Sequence, residues 1–228
     1  MIVYGRQPVR ELLAARRRPV ERVWATSGAA DEVSGVEVEI TDADAISMRA
    51  GSDGHQGICA QTTGYPYVGA GELLAPDEPF LVALDEVQDP QNLGAIARTA
   101  ECAGATGLVL PERRSAEVTP AACKASAGAV EHLRIARVRN LADFLADAKA
   151  LGCWCYGAAA EGKPYTQVDY AGGLVLVLGA EGKGLRPRVA KACDELVALP
   201  IRGRVASLNV SAAAAALMYG ILQGKPSP

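Results

Sequence analysis

Asn92 and Arg98 lie in the segment of this chain that is best equipped for chemistry, LDEVQDPQNLGAIART at 84–99. An apolar run ends at Leu84, a polar turn follows, and Asn92 is predicted to stand at the start of a helix. Open α/β sheets place their binding sites where a strand ends in such a turn and a helix begins. An amide and a guanidinium at that position predict a site for an anionic or hydroxylated substrate.

A second candidate segment, 178–185, follows another apolar strand and surrounds Glu181 with three glycines. Glycine permits positive φ and a close approach of the backbone to a ligand. A nucleotide-binding loop is an alternative interpretation, although the sequence has neither the GxGxxG nor the GxxxxGK[ST] pattern. Two roles stay open for Glu181: a residue of the site, or a structural acceptor for neighbouring backbone N–H groups.

A third candidate segment, 199–211, combines a basic loop with Ser207 and Asn209 at a predicted helix start. Serine and asparagine at such a position are first of all helix caps. Capping accounts easily for one of these two residues but not for both. The five alanines at 212–216 predict a final helix that is packed tightly against its surroundings.

The elements that must position these segments follow from the pattern of apolar residues. Predicted strands occupy 80–84, 106–110, 134–138, 152–157, 174–178 and 195–199. Predicted helices occupy 92–103, 119–127, 140–150, 186–192 and 208–222. Continuous apolar strands that alternate with helices are typical of a parallel sheet buried on both faces. The predicted fold class is therefore α/β with a mostly parallel sheet.

A smaller α/β unit is predicted to precede this sheet. Its predicted elements are a helix at 6–17, strands at 20–25 and 36–40, a helix at 41–48 and a strand at 57–60. The stretch 65–79 carries three prolines and two glycines without periodicity, which is typical of a linker. The predicted organisation is a small domain at 1–64, a linker at 65–79 and a large domain at 80–228.

Charge is distributed unevenly along the chain, although the net charge is only −3 at pH 7. Basic residues outnumber acidic ones by six to two in 1–25, by six to three in 112–139 and by seven to two in 183–228. The stretch 26–111 has fourteen acidic residues against two arginines. The three basic segments either converge on one polyanion-binding surface or form ordinary solvated faces, and charge alone leaves both interpretations open.

The six cysteines and two histidines give little support for a metal site. Because no CxxC pair occurs, the cysteines are predicted to be small buried residues in a reducing compartment, and no metal is expected. The uncharged stretch 205–224 is rich in alanine and contains polar side chains, so it is predicted to be a buried helix and not a membrane span. These features predict a soluble, cytoplasmic protein with no membrane partner.

Together, the three segments resemble the SpoU (TrmH-type) family of RNA ribose methyltransferases. The residues that match the family's motifs are Asp85, Asp89, Pro90, Asn92, Gly94, Arg98 and Thr99; Leu178, Gly179, Glu181, Gly184 and Leu185; and Pro200, Gly203, 207–211 and Ala213. This resemblance extends over about residues 80–223. The stretches 4–9 and 55–58 further resemble the small ribosomal-protein-like substrate-binding domain of the long-form members.

The resemblance implies a deep trefoil knot in the C-terminal part of the large domain, preceded by the small α/β ribosomal-protein-like domain. It also implies that S-adenosylmethionine binds to the knotted loops, with S-adenosylhomocysteine as the product. Carried over residue by residue, the cofactor pocket would be lined by Gly179, Leu199, Ile201 and Leu208. The catalytic residues would be Arg98, Asn92, Glu181 and Asn209.

The implied reaction is methyl transfer to a ribose 2′-hydroxyl of RNA by a homodimer, with 23S ribosomal RNA the usual substrate of long-form members. Arg98 would activate the hydroxyl. Because a guanidinium stays protonated in water, this activation would require a substrate phosphate or the dimer partner. A phosphate clamp is the other role that the sequence allows for Arg98. The arginines within 6–22, Arg202 and Arg204 would meet the RNA backbone.

Three other functions compete with this one. A tRNA 2′-O-methyltransferase would share the motifs, although tRNA-type members usually lack the small domain. A non-catalytic RNA-binding ribosome-assembly protein could keep the knot, but it should have lost some of Arg98, Glu181 and Asn209. A dinucleotide-dependent enzyme is disfavoured because the phosphate-binding pattern is missing.

Overall fold

The N-terminal residues form a four-stranded sheet with one helix on each face. The computed structural model describes residues 1–205 and 207–224. The elements of this small unit are β1 (Ile2–Tyr4), α1 (Arg6–Ala15), β2 (Val20–Ala25), β3 (Val38–Ile40), α2 (Ala43–Ala50) and β4 (Ile58–Thr62). The strand order is β1-β4-β2-β3; β4 runs antiparallel to its two neighbours, and β2 and β3 are parallel.

Alternation of side chains along these strands decides which helix covers which face. Val3 and Ile58 belong to the core that contains Leu12 of α1. The neighbouring Tyr4 points to the opposite face and packs with Ile46 of α2. Every element of the unit was predicted from the sequence except β1, whose three residues are too few to show a period.

The segment 65–79, which is predicted to be a linker, packs against the large domain. It contains a short helix, α3 (Ala70–Leu74). Tyr65 and Leu73 are buried, and Val68 forms a bridge to Ala136 of the large domain. Prolines and glycines interrupt the periodicity of this segment, which is why the pattern did not reveal its buried side chains.

Six parallel strands form the sheet of the large domain. They are β5 (Phe80–Asp85), β6 (Gly107–Pro111), β7 (Arg134–Val138), β8 (Trp154–Pro164), β9 (Leu174–Gly179) and β10 (Glu195–Ala198). The order is β10-β8-β9-β5-β6-β7, and every pair is parallel. β5 and β6 are buried along their whole lengths, as their apolar runs predicted. β8 continues beyond its predicted end because Lys163 and Pro164 pair with the end of β10.

Helices cover both faces of this sheet. They are α4 (Pro90–Cys102), α5 (Pro120–Ala125), α6 (Leu141–Ala150), α7 (Pro187–Ala192) and α8 (Val210–Gly224). α4, α5 and α8 lie on one face, whereas α3, α6 and α7 lie on the other. The predicted α/β class with a mostly parallel sheet is confirmed. No helix in the described part of the chain is long and apolar enough to cross a membrane.

A buried ion pair joins the small unit to the large domain. Arg18 and Glu131 are almost inaccessible to solvent, and Arg18 Nε donates to Glu131 Oε2 at 3.1 Å. The adjacent Arg17 donates to the Glu131 carbonyl oxygen at 3.3 Å. The expectation that the arginines within 6–22 meet RNA phosphates is therefore wrong for Arg17 and Arg18, because both are committed to contacts inside the protein.

The cysteines are free and mostly buried. Burial raises the pKa of the Cys123, Cys155 and Cys193 thiols to about 12, so they stay protonated at neutral pH and pack as small apolar groups. Cys102 at the end of α4 differs from the prediction, because it is exposed. Among the described residues, no group of three or more His, Cys, Asp or Glu side chains is arranged to hold a metal ion.

Candidate active site

Three loops at the carboxyl edge of the parallel sheet carry the predicted site residues. β5, β9 and β10 end at Asp85, Gly179 and Ala198. β9 pairs with β5, and β8 separates β9 from β10. Because parallel strands bring their carboxyl ends to one edge, all three loops begin on the same side of the sheet, where α/β proteins bind their ligands.

Asp89 is the N-cap of α4. The helix begins at Pro90, two residues before the predicted start at Asn92. The Asp89 carboxylate accepts hydrogen bonds from the backbone N–H groups of Gln91 and Asn92 at 3.1 and 3.2 Å. Pro90, which has no N–H to satisfy, occupies the first helical position. Asn92 consequently lies in the first turn of α4, with its side chain partly exposed at the sheet edge.

Gly94 brings α5 close to α4. A Cβ at Gly94 would lie 2.7 Å from the Ala122 carbonyl oxygen and 2.9 Å from the Ser126 nitrogen. Both distances are too short for a side chain, so the helices can pack this closely only at a glycine. The close backbone approach that Gly94 permits is thus one between two helices.

Asn209 connects the third segment to the first. Its Nδ2 donates to Asn92 Oδ1 at 3.1 Å across 117 residues of sequence. Its Oδ1 accepts from the Ser211 backbone N–H at 2.8 Å and from Ser211 Oγ at 2.6 Å. Asn209 is therefore the cap of α8, which begins two residues later than predicted, and it also holds the first turn of α4.

The glycine-rich segment after β9 folds into a tight turn. Ala180 and Gly184 exchange two backbone hydrogen bonds, at 3.1 and 2.9 Å. A Cβ at Gly179 would overlap the Gly184 carbonyl group, and Gly184 itself has a φ of +65°. Gly179 thus needs glycine for lack of space, and Gly184 needs it for its left-handed backbone conformation. Glu181 at the tip is exposed, and its carboxylate has no hydrogen-bond partner in the described part of the chain.

Asp85 and Arg186 form a clamp that no pattern in the sequence predicts. Asp85 is fully buried at the end of β5 and accepts from Arg186 N at 2.8 Å and from Arg186 Nε at 2.7 Å. A buried carboxylate requires such a partner. The signal in the sequence was an acidic residue at the end of an otherwise apolar strand. Nothing in the pattern identifies Arg186, 101 residues away, as its partner.

The loop between β10 and α8 leaves apolar side chains open to solvent. Ile201 is 41% exposed and Leu208 is 46% exposed, whereas Leu199 packs partly against the core. Exposed apolar side chains beside polar groups form a surface that a flat or thioether-containing ligand can cover. Ser207 finds no hydrogen bond within the described residues, so the capping role belongs to Asn209.

Arg98 lies apart from the Asn92–Asn209 contact. Six residues separate it from Asn92 on α4, which turns the two side chains about 120° apart around the helix. Arg98 is exposed and makes no hydrogen bond or ion pair with a described residue. Of the four predicted catalytic residues, the structure thus brings Asn92 and Asn209 together, and it leaves Arg98 and Glu181 facing solvent.

Glycine-rich and apolar loops at the carboxyl edge of a parallel sheet are typical of ligand-binding α/β proteins. Comparison with family models is specific: residues 79–219 match the SpoU rRNA Methylase family, and residues 2–68 match the RNA 2'-O ribose methyltransferase substrate binding domain. The chain belongs to the SpoU rRNA methylase family. The resemblance to this family in its long form is confirmed.

Individual relatives agree with this assignment. An uncharacterized tRNA/rRNA methyltransferase of Synechocystis sp. is 38% identical over 97% of this chain, which spans 62% of that protein's length. The 23S rRNA (guanosine-2'-O-)-methyltransferase RlmB of Pseudomonas putida is 36% identical over 95% of this chain and 94% of its own. The AdoMet-bound rRNA methyltransferase from Sinorhizobium meliloti is 26% identical, with a TM-score of 0.84 over 99% of this chain and 88% of its own.

Proposed function

We propose that this protein transfers a methyl group from S-adenosylmethionine to a ribose 2′-hydroxyl of RNA, with 23S ribosomal RNA as the favoured substrate. The observation that carries the proposal is the Asn92–Asn209 hydrogen bond, which joins two family motifs at the sheet edge. The relative from Pseudomonas putida supports the choice of RNA, because it covers nearly the whole chain.

Four residues are proposed to hold the cofactor. Gly179 lets the backbone of the turn close without a side chain in the way, and Leu199, Ile201 and Leu208 offer the apolar surface that an adenine and a thioether require. When bound, S-adenosylmethionine supplies a methyl group on a positively charged sulfur. The chain's own task is to hold the ribose hydroxyl in line with that group and to exclude water.

Arg98 is the proposed activating residue. Its side chain is exposed and has no acidic partner in the described chain, so it is available to an RNA phosphate. A guanidinium that holds the phosphate next to the reacting ribose fixes the hydroxyl and stabilises its developing negative charge. Since the guanidinium is already protonated, the hydroxyl proton passes to an oxygen of that phosphate and from there to water. Asn92 and Asn209 would keep the start of α4 in register with the cofactor loops, and Glu181 would contact the ribose.

A trefoil knot formed by the loops after β9 and β10 is proposed for the C-terminal part of the large domain. The limits 1–64, 65–79 and 80–228 are proposed for a ribosomal-protein-like substrate domain, its connection and the methyltransferase domain. A homodimer is proposed because the outer face of α8 is uncharged and displays Tyr219 and Leu222 to solvent. A cytoplasmic location is proposed because the six cysteines are free, as is usual in a reducing compartment.

The test is methyl transfer to unmodified 23S ribosomal RNA and tRNA transcripts, followed by mass-spectrometric mapping of 2′-O-methylated positions. We expect one modified position in 23S RNA. We expect Arg98→Ala to lower kcat/KM by at least ~100-fold while the fold, by circular dichroism, and the cofactor Kd, by calorimetry, stay unchanged. Methylation at the wild-type rate by Arg98→Ala would refute the role of Arg98. Absence of cofactor binding by the wild-type protein would refute the proposed function.

A further inference from the structure

One cleft at the carboxyl edge of the sheet is lined mainly by arginine. It lies between the starts of α6 and α7 and encloses about 280 Å³. Its lining residues are Arg139, Asn140, Arg186, Arg188 and Val189. We call it the arginine cleft. It joins the basic segments 112–139 and 183–228, so two of the three basic segments converge in the fold.

The positive charge of the arginine cleft is only partly neutralised. The Arg186 guanidinium is paired with two carboxylates, Asp85 at 2.6 Å from Nη2 and Glu86 at 3.6 Å from Nη1. Arg188 pairs with Asp143 at 2.9 Å, but both side chains are largely exposed, at 73% and 65%. Such a surface pair is weak in water, so Arg188 can exchange Asp143 for an anionic ligand. Arg139 makes no hydrogen bond or ion pair with any described residue.

A neighbouring cleft continues the basic surface along the same edge. It encloses about 340 Å³ and is lined by Glu112, Arg113 and Arg137 at the ends of β6 and β7. Arg137 is held by the Glu112 carbonyl oxygen at 2.7 Å and by Glu117 at 2.9 Å. Arg113, like Arg139, has no partner among the described residues. Adjacent strands in a sheet lie about 4.8 Å apart, so the two clefts are close neighbours.

We propose that the arginine cleft binds the sugar–phosphate backbone of the RNA substrate, beside the nucleotide that is methylated. The inference rests on the proposed function and names a contact surface on the α6 and α7 face. Arg186 connects the cleft to the site, because it follows the glycine-rich turn directly and is clamped to the end of β5. RNA bound in the cleft would therefore lie next to the loops that are proposed to bind the cofactor.

The chemistry of the lining favours a phosphate backbone over other ligands. Planar guanidinium groups bind phosphate oxygens through two parallel hydrogen bonds. The Asn140 side chain accepts from the Ala142 N–H at 3.0 Å, which leaves its amide N–H groups to donate. No aromatic side chain lines the described cleft, so there is no platform on which a base could stack. The contact should consequently hold and orient RNA without reading its sequence.

The test compares Arg139→Ala, Arg188→Ala and the double variant with Arg134→Ala as the matched control. Arg134 is exposed, its side chain makes no hydrogen bond or ion pair with a described residue, and it lies at the opposite end of β7. Binding of an unmodified 23S RNA transcript is measured by filter retention over a range of salt concentrations. Cofactor Kd and methyl transfer are measured in parallel.

The logarithm of the RNA association constant falls linearly with the logarithm of the salt concentration. Each cleft substitution should make this slope less steep by about 0.7, and the two changes should add in the double variant. KM for RNA should rise, whereas cofactor Kd should not change, and Arg134→Ala should behave as wild type. A double variant with the wild-type slope would overturn the proposal, as would an equal loss in Arg134→Ala. If the wild-type protein binds the RNA transcript but transfers no methyl group to it, that result would count against the proposed function and not against the arginine cleft.

Discussion

Asn209 performs two tasks with a single amide group. Its Oδ1 accepts from Ser211 and caps α8, and its Nδ2 donates to Asn92 on α4. A carboxylate in the same place would keep the acceptor and lose the donor. The two tasks can therefore be separated by substitution at one position.

Asn209→Asp should keep α8 capped and leave the free energy of unfolding within about 0.5 kcal/mol of wild type. Its kcat/KM for RNA should nevertheless fall as far as that of Asn92→Ala, because both lose the contact between α4 and α8. Asn209→Ala should also lose about 1 kcal/mol of stability, the usual cost of a missing cap. Urea unfolding and methyl-transfer assays measure the two effects. Full activity in Asn92→Ala, whose side chain can form no hydrogen bond to Asn209, would show that this contact has no role in the site.

The strands and helices of the large domain follow closely from local sequence, since continuous apolar runs and helix caps act over a few residues. The strand predicted at 80–84 is β5, and the helix predicted at 140–150 is α6. Elements without a local period were not predicted. β1 is too short, α3 lies among prolines, and the end of β8 is fixed by its pairing with β10. Propensity cannot reveal such tertiary pairings.

The same limit applies to the site. Motif spacing placed Asn92 and Arg98 in one segment, but the helical period turns them to different sides of α4. The contact of Asn92 with Asn209 and the clamp of Asp85 on Arg186 join residues more than a hundred positions apart. Each depends on the strand order of the sheet, which no local pattern contains.

A substitution in the turn after β9 can show whether backbone geometry, and not only side chains, forms the proposed cofactor site. Gly179→Ala places a Cβ on the Gly184 carbonyl group, so the turn must open. We expect the cofactor Kd measured by calorimetry to rise at least ~10-fold, because about 1.4 kcal/mol of lost interaction corresponds to that factor. Gly182→Ala in the same turn meets nothing within 4 Å and carries only the strain of its positive φ. Equal cofactor affinity in both variants would exclude a role for the close crossing at Gly179.

The two units of the chain are joined through polar groups that are hidden from water. Arg18 and Glu131 pair in a buried position, Tyr65 donates to the Leu133 carbonyl oxygen at 2.6 Å, and Arg17 packs against the Tyr65 ring. Buried charges must be matched, so these contacts favour one arrangement of the units over others. The small unit is thereby fixed relative to the carboxyl edge of the sheet. RNA bound to both would therefore find a single arrangement of the two surfaces.

Breaking this buried pair should cost far more than breaking an exposed one. Glu131→Gln leaves the Arg18 guanidinium buried without a counter-charge, and we expect a loss of about 3–5 kcal/mol in the free energy of unfolding. The exposed pair of Glu11 with His132 is the control, and Glu11→Gln should cost at most ~1 kcal/mol. Replacing both partners, in Arg18→Met with Glu131→Leu, should restore much of the loss because no charge is then left unpaired. Urea unfolding monitored by tryptophan fluorescence measures all three variants. An equally small loss of unfolding free energy in Glu131→Gln and in Glu11→Gln would contradict this prediction. It would mean that water reaches the Arg18 side chain and that the ion pair does not hold the small unit in place.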